Sequence, residues 1–254
     1  ALMEDFAELW KYKNDLPIGI NPEVVFGVYY KKGSAKWSVD GFAYGNMFAP
    51  QPSLPADAGG WADYCAEINF YNNFPAGLRK DATFISAIKK QDGTVIEWQN
   101  GSLGHPYFKK YVDGAKFDEN AQDKKQDWWS SKSILVIRYA EVLLTYAESK
   151  AMAGSPDATA YDAINQVRNR AGLPDLTEGL SKEAFRDSVL AERAWEFAGM
   201  EPAGRWFDLV RTERVEQAAS NRHPDELPIA AGNPDKEDYF CPIPISEKLI
   251  NPNL

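Results

Sequence analysis

From residue 139 onward the apolar positions keep a helical period. Ala140, Leu143, Leu144, Ala147 and Ala151 recur at spacings of three and four, which places them on one buried helix face. Gly154 ends that pattern, and Ser155 followed by Pro156 predicts an N-cap with proline at the first helical position. The next face is Ala160, Ile164, Val167 and Ala171, stopped by Gly172 and Pro174. Together these predict an antiparallel helical hairpin over residues 138–172, with small side chains in a close-packed seam. A third helix is predicted from near Ser181, with Glu183 in its first turn. It carries Phe185, Val189, Leu190 and Phe197 on its apolar face and runs to about Ala198. Residues 212–238 turn polar, with Pro224, Pro228, Gly232 and Pro234, and read as a long loop.

The first half lacks that regularity. Leu2, Phe6, Leu9 and Trp10 fit one helical face, and the β-branched and aromatic run Val24 to Tyr30 predicts a strand. Ala82 to Ile88 and Thr94 to Trp98 flank Asp92-Gly93, which predicts a hairpin; a helix from Lys80 to Lys90 is the competing reading. Aromatic usage separates the halves further. Of 33 Phe, Trp and Tyr residues, 23 fall in residues 1–130 and 10 in the remainder. Residues 37–78 contain no Lys or Arg and only four acids, yet hold nine aromatics among four prolines and five glycines. A long irregular stretch is usually either functional or disordered, and this density of rings argues against disorder.

Composition narrows the function. The 254 residues carry 28 basic and 37 acidic side chains, a formal charge of −9, which disfavours nucleic acid as a partner. No apolar run approaches the ~20 residues of a bilayer-spanning helix, and no charged-then-apolar leader opens the chain. Two histidines and two cysteines leave little for zinc sites, iron–sulfur clusters or disulfide scaffolds. His105 and His223 each precede a proline and read as loop residues. Cys65 and Cys241 read as separate, largely buried thiols rather than as a disulfide joining the aromatic stretch to the closing segment. Asp113 to Asp123 looks calcium-like but misses EF-hand spacing and encloses Lys116, so no metal is expected there. No GxSxG, HExxH, Walker-type or GxGxxG pattern occurs.

Four blocks then carry a resemblance. Ile137-Arg138-Tyr139-Ala140-Glu141-Val142-Leu143-Leu144, continuing to Tyr146-Ala147-Glu148, is the first. Ala163-Ile164-Asn165-Gln166-Val167-Arg168-Asn169-Arg170-Ala171-Gly172-Leu173-Pro174 is the second. Glu192-Arg193 and Glu196-Phe197-Ala198, then Arg205-Trp206-Phe207-Asp208-Leu209-Val210-Arg211, form the third. Tyr239-Phe240-Cys241-Pro242-Ile243-Pro244, Glu247 and Asn251-Pro252-Asn253-Leu254 form the fourth. In this order they resemble the SusD/RagB family of outer-membrane nutrient-binding lipoproteins. The link between Glu196 and Arg205 is slightly longer than the family's usual one.

The resemblance implies a mainly α fold: a SusD-like, tetratricopeptide-like helical scaffold with long loops and a few short strands or a hairpin. Residues 1–254 would be a single domain fragment covering about the C-terminal half of a usual member. Residues 1–133 would be its loop-rich, aromatic, ligand-facing part, and 134–254 the helical scaffold and closing segment. It implies a non-enzymatic binding protein on the outer face of a Bacteroidota outer membrane. Such a protein captures a glycan and hands it to a SusC-like TonB-dependent transporter. Membrane attachment would come only through a lipidated N-terminus absent from this chain, and no cofactor is implied. Capture of peptides or another non-sugar oligomer stays open as the alternative, with glycan hydrolysis a distant third.

The residues themselves suggest where a ligand sits. Flat rings stack on the apolar faces of sugars while amides and acids take the hydroxyls. Trp37, Tyr44, Trp61, Tyr64 and Tyr71, with Trp98 as a lesser member, are the candidate platform. Asn46, Asn69, Asn72, Asn73, Asp40 and Asp63 lie among them. The competing use of every ring is packing, since aromatics dominate cores by buried area. Arg138, Glu141, Glu148, Arg168 and Arg170 read as ion pairs and caps. Glu192 and Glu196 share a helix face beside Arg193 and Arg205, so they and Asp208 read as structural pairs, not as glycosidase carboxylates across a cleft.

Overall fold

A computed structural model describes residues 1–11, 21–30, 47–48, 50, 61–90, 92–112, 132–202, 204–251 and 253. The chain forms two compact units, Ala1–Arg205 and Trp206–Leu254. The first opens with a 3₁₀ turn, Phe6–Trp10, capped by the Asp5 carboxylate, which accepts from the Ala7 N–H at 2.8 Å. Strand β1 (Val24–Val28) follows, then two short helices, α1 (Ile68–Asn73) and α2 (Leu78–Thr83). Short strands β2 (Phe84–Ile85), β3 (Ala87–Lys89), β4 (Val95–Glu97) and β5 (Tyr107–Phe108) lead to β6 (Ile134–Arg138). Helices α3 (Tyr139–Ala153), α4 (Ala158–Arg170) and α5 (Lys182–Glu196) complete this unit. Helix α6 (Arg205–Arg211) begins at the boundary. The second unit also contains α7 (Val215–Ser220), a 3₁₀ turn at Lys236–Tyr239 and α8 (Ile245–Ile250).

Helices α3 and α4 pack together as the hydrophobic phasing predicts. Ala140, Leu144, Ala147, Ala151, Ala160, Ile164 and Val167 are all 0% exposed, and Leu143 is 7% exposed. The connecting turn differs from the expectation in one respect. The cap is Asp157 rather than Ser155, its carboxylate accepting from the N–H groups of Thr159 and Ala160, both at 3.1 Å, so the helix starts at Ala158. A charged acceptor serves the positive helix end better than a hydroxyl. At the far end Leu173 N–H reaches Arg168 O and Gly172 N–H reaches Asn169 O, each at 2.9 Å. With Gly172 at φ +76° this is a Schellman cap. Helix α5 starts where expected: the Ser181 hydroxyl accepts from Ala184 N–H at 3.2 Å, Phe185 and Val189 join the same core, and Leu190 is buried.

The predicted strand at Val24 is β1, paired antiparallel with β6. Around Asp92-Gly93 each competing reading holds over part of its range. Residues 78–83 are helical, whereas β3 and β4 form the hairpin, with Ala87 opposite Glu97 and Lys89 opposite Val95. The 212–238 stretch is more regular than a loop, since it contains α7 and the start of the Lys236–Tyr239 turn. There the Asp235 and Asp238 carboxylates form a reciprocal capping box. Among the described residues no helix is long and apolar enough to cross a membrane.

Candidate functional site

Of the candidate rings, Trp37 and Tyr44 lie outside the described residues, as do Asn46 and Asp40. The other four separate into two groups. Trp61 is 39% exposed and Tyr64 is 42% exposed, whereas Trp98 is 6% exposed and Tyr71 is partly buried.

The segment carrying Trp61 and Tyr64 is held by its backbone. Met47 O accepts from Asp63 N–H at 2.8 Å and from Tyr64 N–H at 3.2 Å, and Ala66 N–H donates to Pro106 O at 2.9 Å. Cys65 bridges Tyr107 in antiparallel fashion, and the Glu67 carboxylate caps α1 through Phe70 N–H at 2.6 Å. Ala62 sits between the two rings at φ +55°, a left-handed conformation that costs a non-glycine residue about 1–2 kcal/mol. Its methyl group is buried while Trp61, Asp63 and Tyr64 are exposed. Below Tyr64 lies Phe48, 0% exposed, with ring centroids 5.3 Å apart. Two aromatic rings and a carboxylate are thus displayed from one fixed turn.

Tyr71 and Trp98 do other work. Trp98 meets Tyr71 edge-on at 5.6 Å, and Tyr71 meets Phe84 edge-on at 5.1 Å. The Lys80 ammonium lies 4.2 Å from the Tyr71 ring centroid and donates to Tyr71 O at 2.6 Å. These contacts belong to a core that also holds Phe74, Phe84, Tyr107 and Phe108, so packing accounts for both rings in this structure.

The charged residues of the helical blocks meet in a second feature, a buried ionic cluster. Arg138 is 1% exposed and donates to Glu23 Oε1 at 2.6 Å, Glu196 Oε1 at 2.7 Å and Glu201 Oε2 at 2.8 Å. Glu196, 0% exposed, also accepts from Arg170 at 2.5 Å and Arg79 at 3.1 Å. Arg79 and Arg168 hold Glu192 at 2.6 and 3.2 Å, Arg170 reaches Glu23 at 2.8 Å, and Lys110 pairs with Glu201. Burial by itself would raise the Glu196 pKa. Arg170, Arg138 and Arg79 outweigh it and hold this carboxyl well below the usual range. Burial would likewise lower Arg138, but Glu201, Glu196 and Glu23 raise it well above its ordinary value.

Glu192 and Glu196 are therefore structural, as expected, but their partners are not Arg193 and Arg205. Arg193 lies 5.3 Å from the Phe197 ring and donates to Thr145 Oγ1 at 3.3 Å, while Arg205 donates to Leu190 O at 3.3 Å. Their places are taken by guanidinia from α2, β6 and α4. Glu201 comes from the link after Glu196, whose φ +94° residue, Gly199, faces Tyr111. In the second unit Asp208 pairs with Arg211 at 2.7 Å.

Neither Cys65 nor Cys241 is in a disulfide. Cys65 is partly buried as a separate thiol, but Cys241 is exposed rather than buried, because the closing segment around it is exposed, with Phe240 at 75%. The calcium-like stretch 113–123 lies outside the described residues. Among the described residues no three His, Cys, Asp or Glu side chains cluster as metal ligands would.

A helical hairpin backed by a third helix, with a pinned aromatic turn, is the class of protein these features define. The chain belongs to the SusD family, whose model matches residues 90–254. It is 26% identical over 211 residues to SusD-like protein P2 of Formosa agariphila, a match covering 77% of this chain and 39% of that protein. A SusD homolog from Bacteroides thetaiotaomicron superposes with a TM-score of 0.75 at 22% identity, covering 100% of this chain and 55% of that one. Surface glycan-binding protein A from the same organism, in complex with laminarihexaose, gives 0.71 at 21% identity over 98% of this chain and 54% of that one. The chain thus spans about half the length of these structures and less than half of that relative.

Proposed function

We propose that this chain forms part of a cell-surface protein that captures a glycan and delivers it to a TonB-dependent outer-membrane transporter. The observation that carries the reading is the Trp61–Tyr64 turn, two exposed rings on a backbone pinned to Met47 and Pro106. Rigid rings lose little entropy on binding, and each stacking contact contributes about 0.5–1.5 kcal/mol beyond its buried area. Asp63 between them supplies an acceptor for sugar hydroxyls. The laminarihexaose-bound neighbour on the same fold adds support from outside the chain.

Binding rather than turnover is part of the proposal. Glu192 and Glu196, both 0% exposed and engaged by guanidinia, have no room to protonate a glycosidic oxygen or admit a water. The test is a panel of neutral polysaccharides and oligopeptides in affinity electrophoresis, with product analysis of each mixture. Retardation by at least one polysaccharide without hydrolysis supports the reading. Retention of peptides alone, or sugar release abolished by Glu192→Gln, overturns it. Delivery and location have their own test. A full-length version should fractionate with the outer membrane, face outward and co-purify with a transporter. A cytoplasmic full-length protein would contradict that part.

A further inference from the structure

We propose that, given the glycan reading of the Trp61–Tyr64 turn on which this rests, Asp63 makes the turn charge-selective: neutral glycans are taken, and those bearing uronate or sulfate groups are excluded. Ala62 decides which side chains the turn displays. At φ +55° its methyl group goes inward, where Ala62 is 6% exposed, while Trp61, Asp63 and Tyr64 are all exposed. A regular extended strand would put Tyr64 on the buried side with Ala62, and away from Asp63. The Asp63 and Tyr64 N–H groups both donate to Met47 O, at 2.8 and 3.2 Å, so the carboxylate rides on the same pinned stretch as the rings.

The carboxylate is also unengaged. Among the described residues it has no hydrogen-bond or ion-pair partner, whereas the next acid, Glu67, is used to cap α1. Residues 37–78 bring no Lys or Arg to offset it. An ionised carboxylate only accepts hydrogen bonds. Sugar hydroxyls can donate to it, and such charge-assisted bonds are roughly twice as strong as neutral ones. Uronate carboxylates and sulfate esters are acceptors without a proton to give. Facing Asp63, they lose that bond and add a repulsion.

The repulsion reaches any sugar on either ring. Asp63 adjoins Tyr64 and stands two residues from Trp61, so its Cα lies about 3.8 Å from one Cα and within about 7 Å of the other. A stacked sugar is therefore far inside the Debye length of about 30 Å at about 0.01 M salt. At about 7 Å in water one negative charge on the ligand lowers affinity about threefold, and several charges within range multiply the loss. At about 1 M salt the Debye length shrinks to about 3 Å and the discrimination fades. Neutral ligands feel neither effect.

Calorimetric titration of the chain with soluble starch, β-glucan, mannan and xylan, each beside a lightly carboxymethylated form of the same polymer, tests this. For a polymer that binds, the carboxymethylated form is expected to bind at least tenfold more weakly at about 0.01 M salt and within about threefold at about 1 M. Asp63→Asn keeps the side chain's shape, removes its charge, and should shrink the low-salt ratio at least threefold. Asp162→Asn makes the same net-charge change at an exposed position of α4 and should leave the ratio unchanged. Equal or tighter binding of the carboxymethylated form would overturn the proposal. So would a preference undiminished at about 1 M salt, or a ratio that the two variants shift equally. The salt series needs no variant, so it decides even if Asp63→Asn misfolds. A parent that binds no polymer of either form overturns the glycan reading and the charge selectivity together, whereas binding without discrimination removes the selectivity alone.

Discussion

Replacing Glu196 by Gln removes one negative charge from the centre of the buried cluster while keeping the side chain's shape. Three guanidinia contact that carboxylate, from Arg170 at 2.5 Å, Arg138 at 2.7 Å and Arg79 at 3.1 Å. At an effective dielectric of about 20 each pair is worth roughly 4 kcal/mol of Coulomb energy, so about 12 kcal/mol is lost in gross terms. The wild-type carboxylate has itself forfeited several kcal/mol of hydration, which the amide does not, so the net loss is much smaller. Breaking a buried pair typically costs about 3–5 kcal/mol, and this is the expected destabilisation. At roughly 2–4 °C per kcal/mol for a domain of this size, Tm falls by about 6–20 °C. Urea denaturation followed by circular dichroism measures it directly. The same carboxylate sets an acid dependence. Its folded pKa lies well below the reference value of 4.5, so its stabilisation is fully present above that value and declines as pH falls beneath it. The stability gap between parent and variant should therefore narrow progressively as pH falls below 4.5. A Glu196→Gln protein within 1 kcal/mol of the parent at pH 7 would refute the view that this cluster is an energetic centre of the fold.

Other perturbations test neighbouring parts of the account. Leu143→Asp places an unpaired charge in the α3–α4 seam, where Leu143 is 7% exposed, and should cost at least about 4 kcal/mol in the same denaturation assay. Gly199→Ala should cost about 2–4 kcal/mol, because φ is +94° and the new methyl group would lie 2.5 Å from Tyr111 Cε2. Lys110 gives a pH dependence of the same sign as Glu196, in a higher window. With a folded pKa of about 8 against 10.5, the unfolded chain holds the extra proton between those values, so stability from this group rises with pH across that window. Denaturation at pH 7.5 and 9.5 should show the parent gaining on Lys110→Met, by at most about 3 kcal/mol; a relative loss would contradict the assignment.

How much of this was legible beforehand depended on the range of the interaction. The α3–α4 hairpin is written in spacings of three and four, and Gly172 announces its own cap. The α4 start was misplaced by two residues because Ser155 and Asp157 are both good caps and only the folded turn selects between them. The ionic cluster was half visible. Arg138, Arg168, Arg170, Glu192 and Glu196 stand in helical blocks, but Arg79 lies 113 residues from Glu192, and such pairing leaves no periodic trace. Glu23 just before β1 and Glu201 in the link after Glu196 gave no local signal beyond an acid beside apolar positions. Aromatic density marked a region without sorting its rings. Trp61 and Trp98 are equally good stackers in isolation, and only the packing of Tyr71, itself set against Phe84, on Trp98 distinguishes the buried ring from the displayed one.

The central claim is that the displayed turn captures sugar, and a calorimetric titration of the Trp61→Ala/Tyr64→Ala variant beside the parent tests it most directly. The ligand is whichever neutral polysaccharide retards the parent in affinity electrophoresis. The account predicts at least a tenfold loss of affinity, equivalent to about 1.4 kcal/mol. Tm should change little, since both rings are substantially exposed. Parent binding should stay nearly constant between low and high salt because no ion pair carries it. A variant that folds like the parent and binds as tightly would contradict the claim.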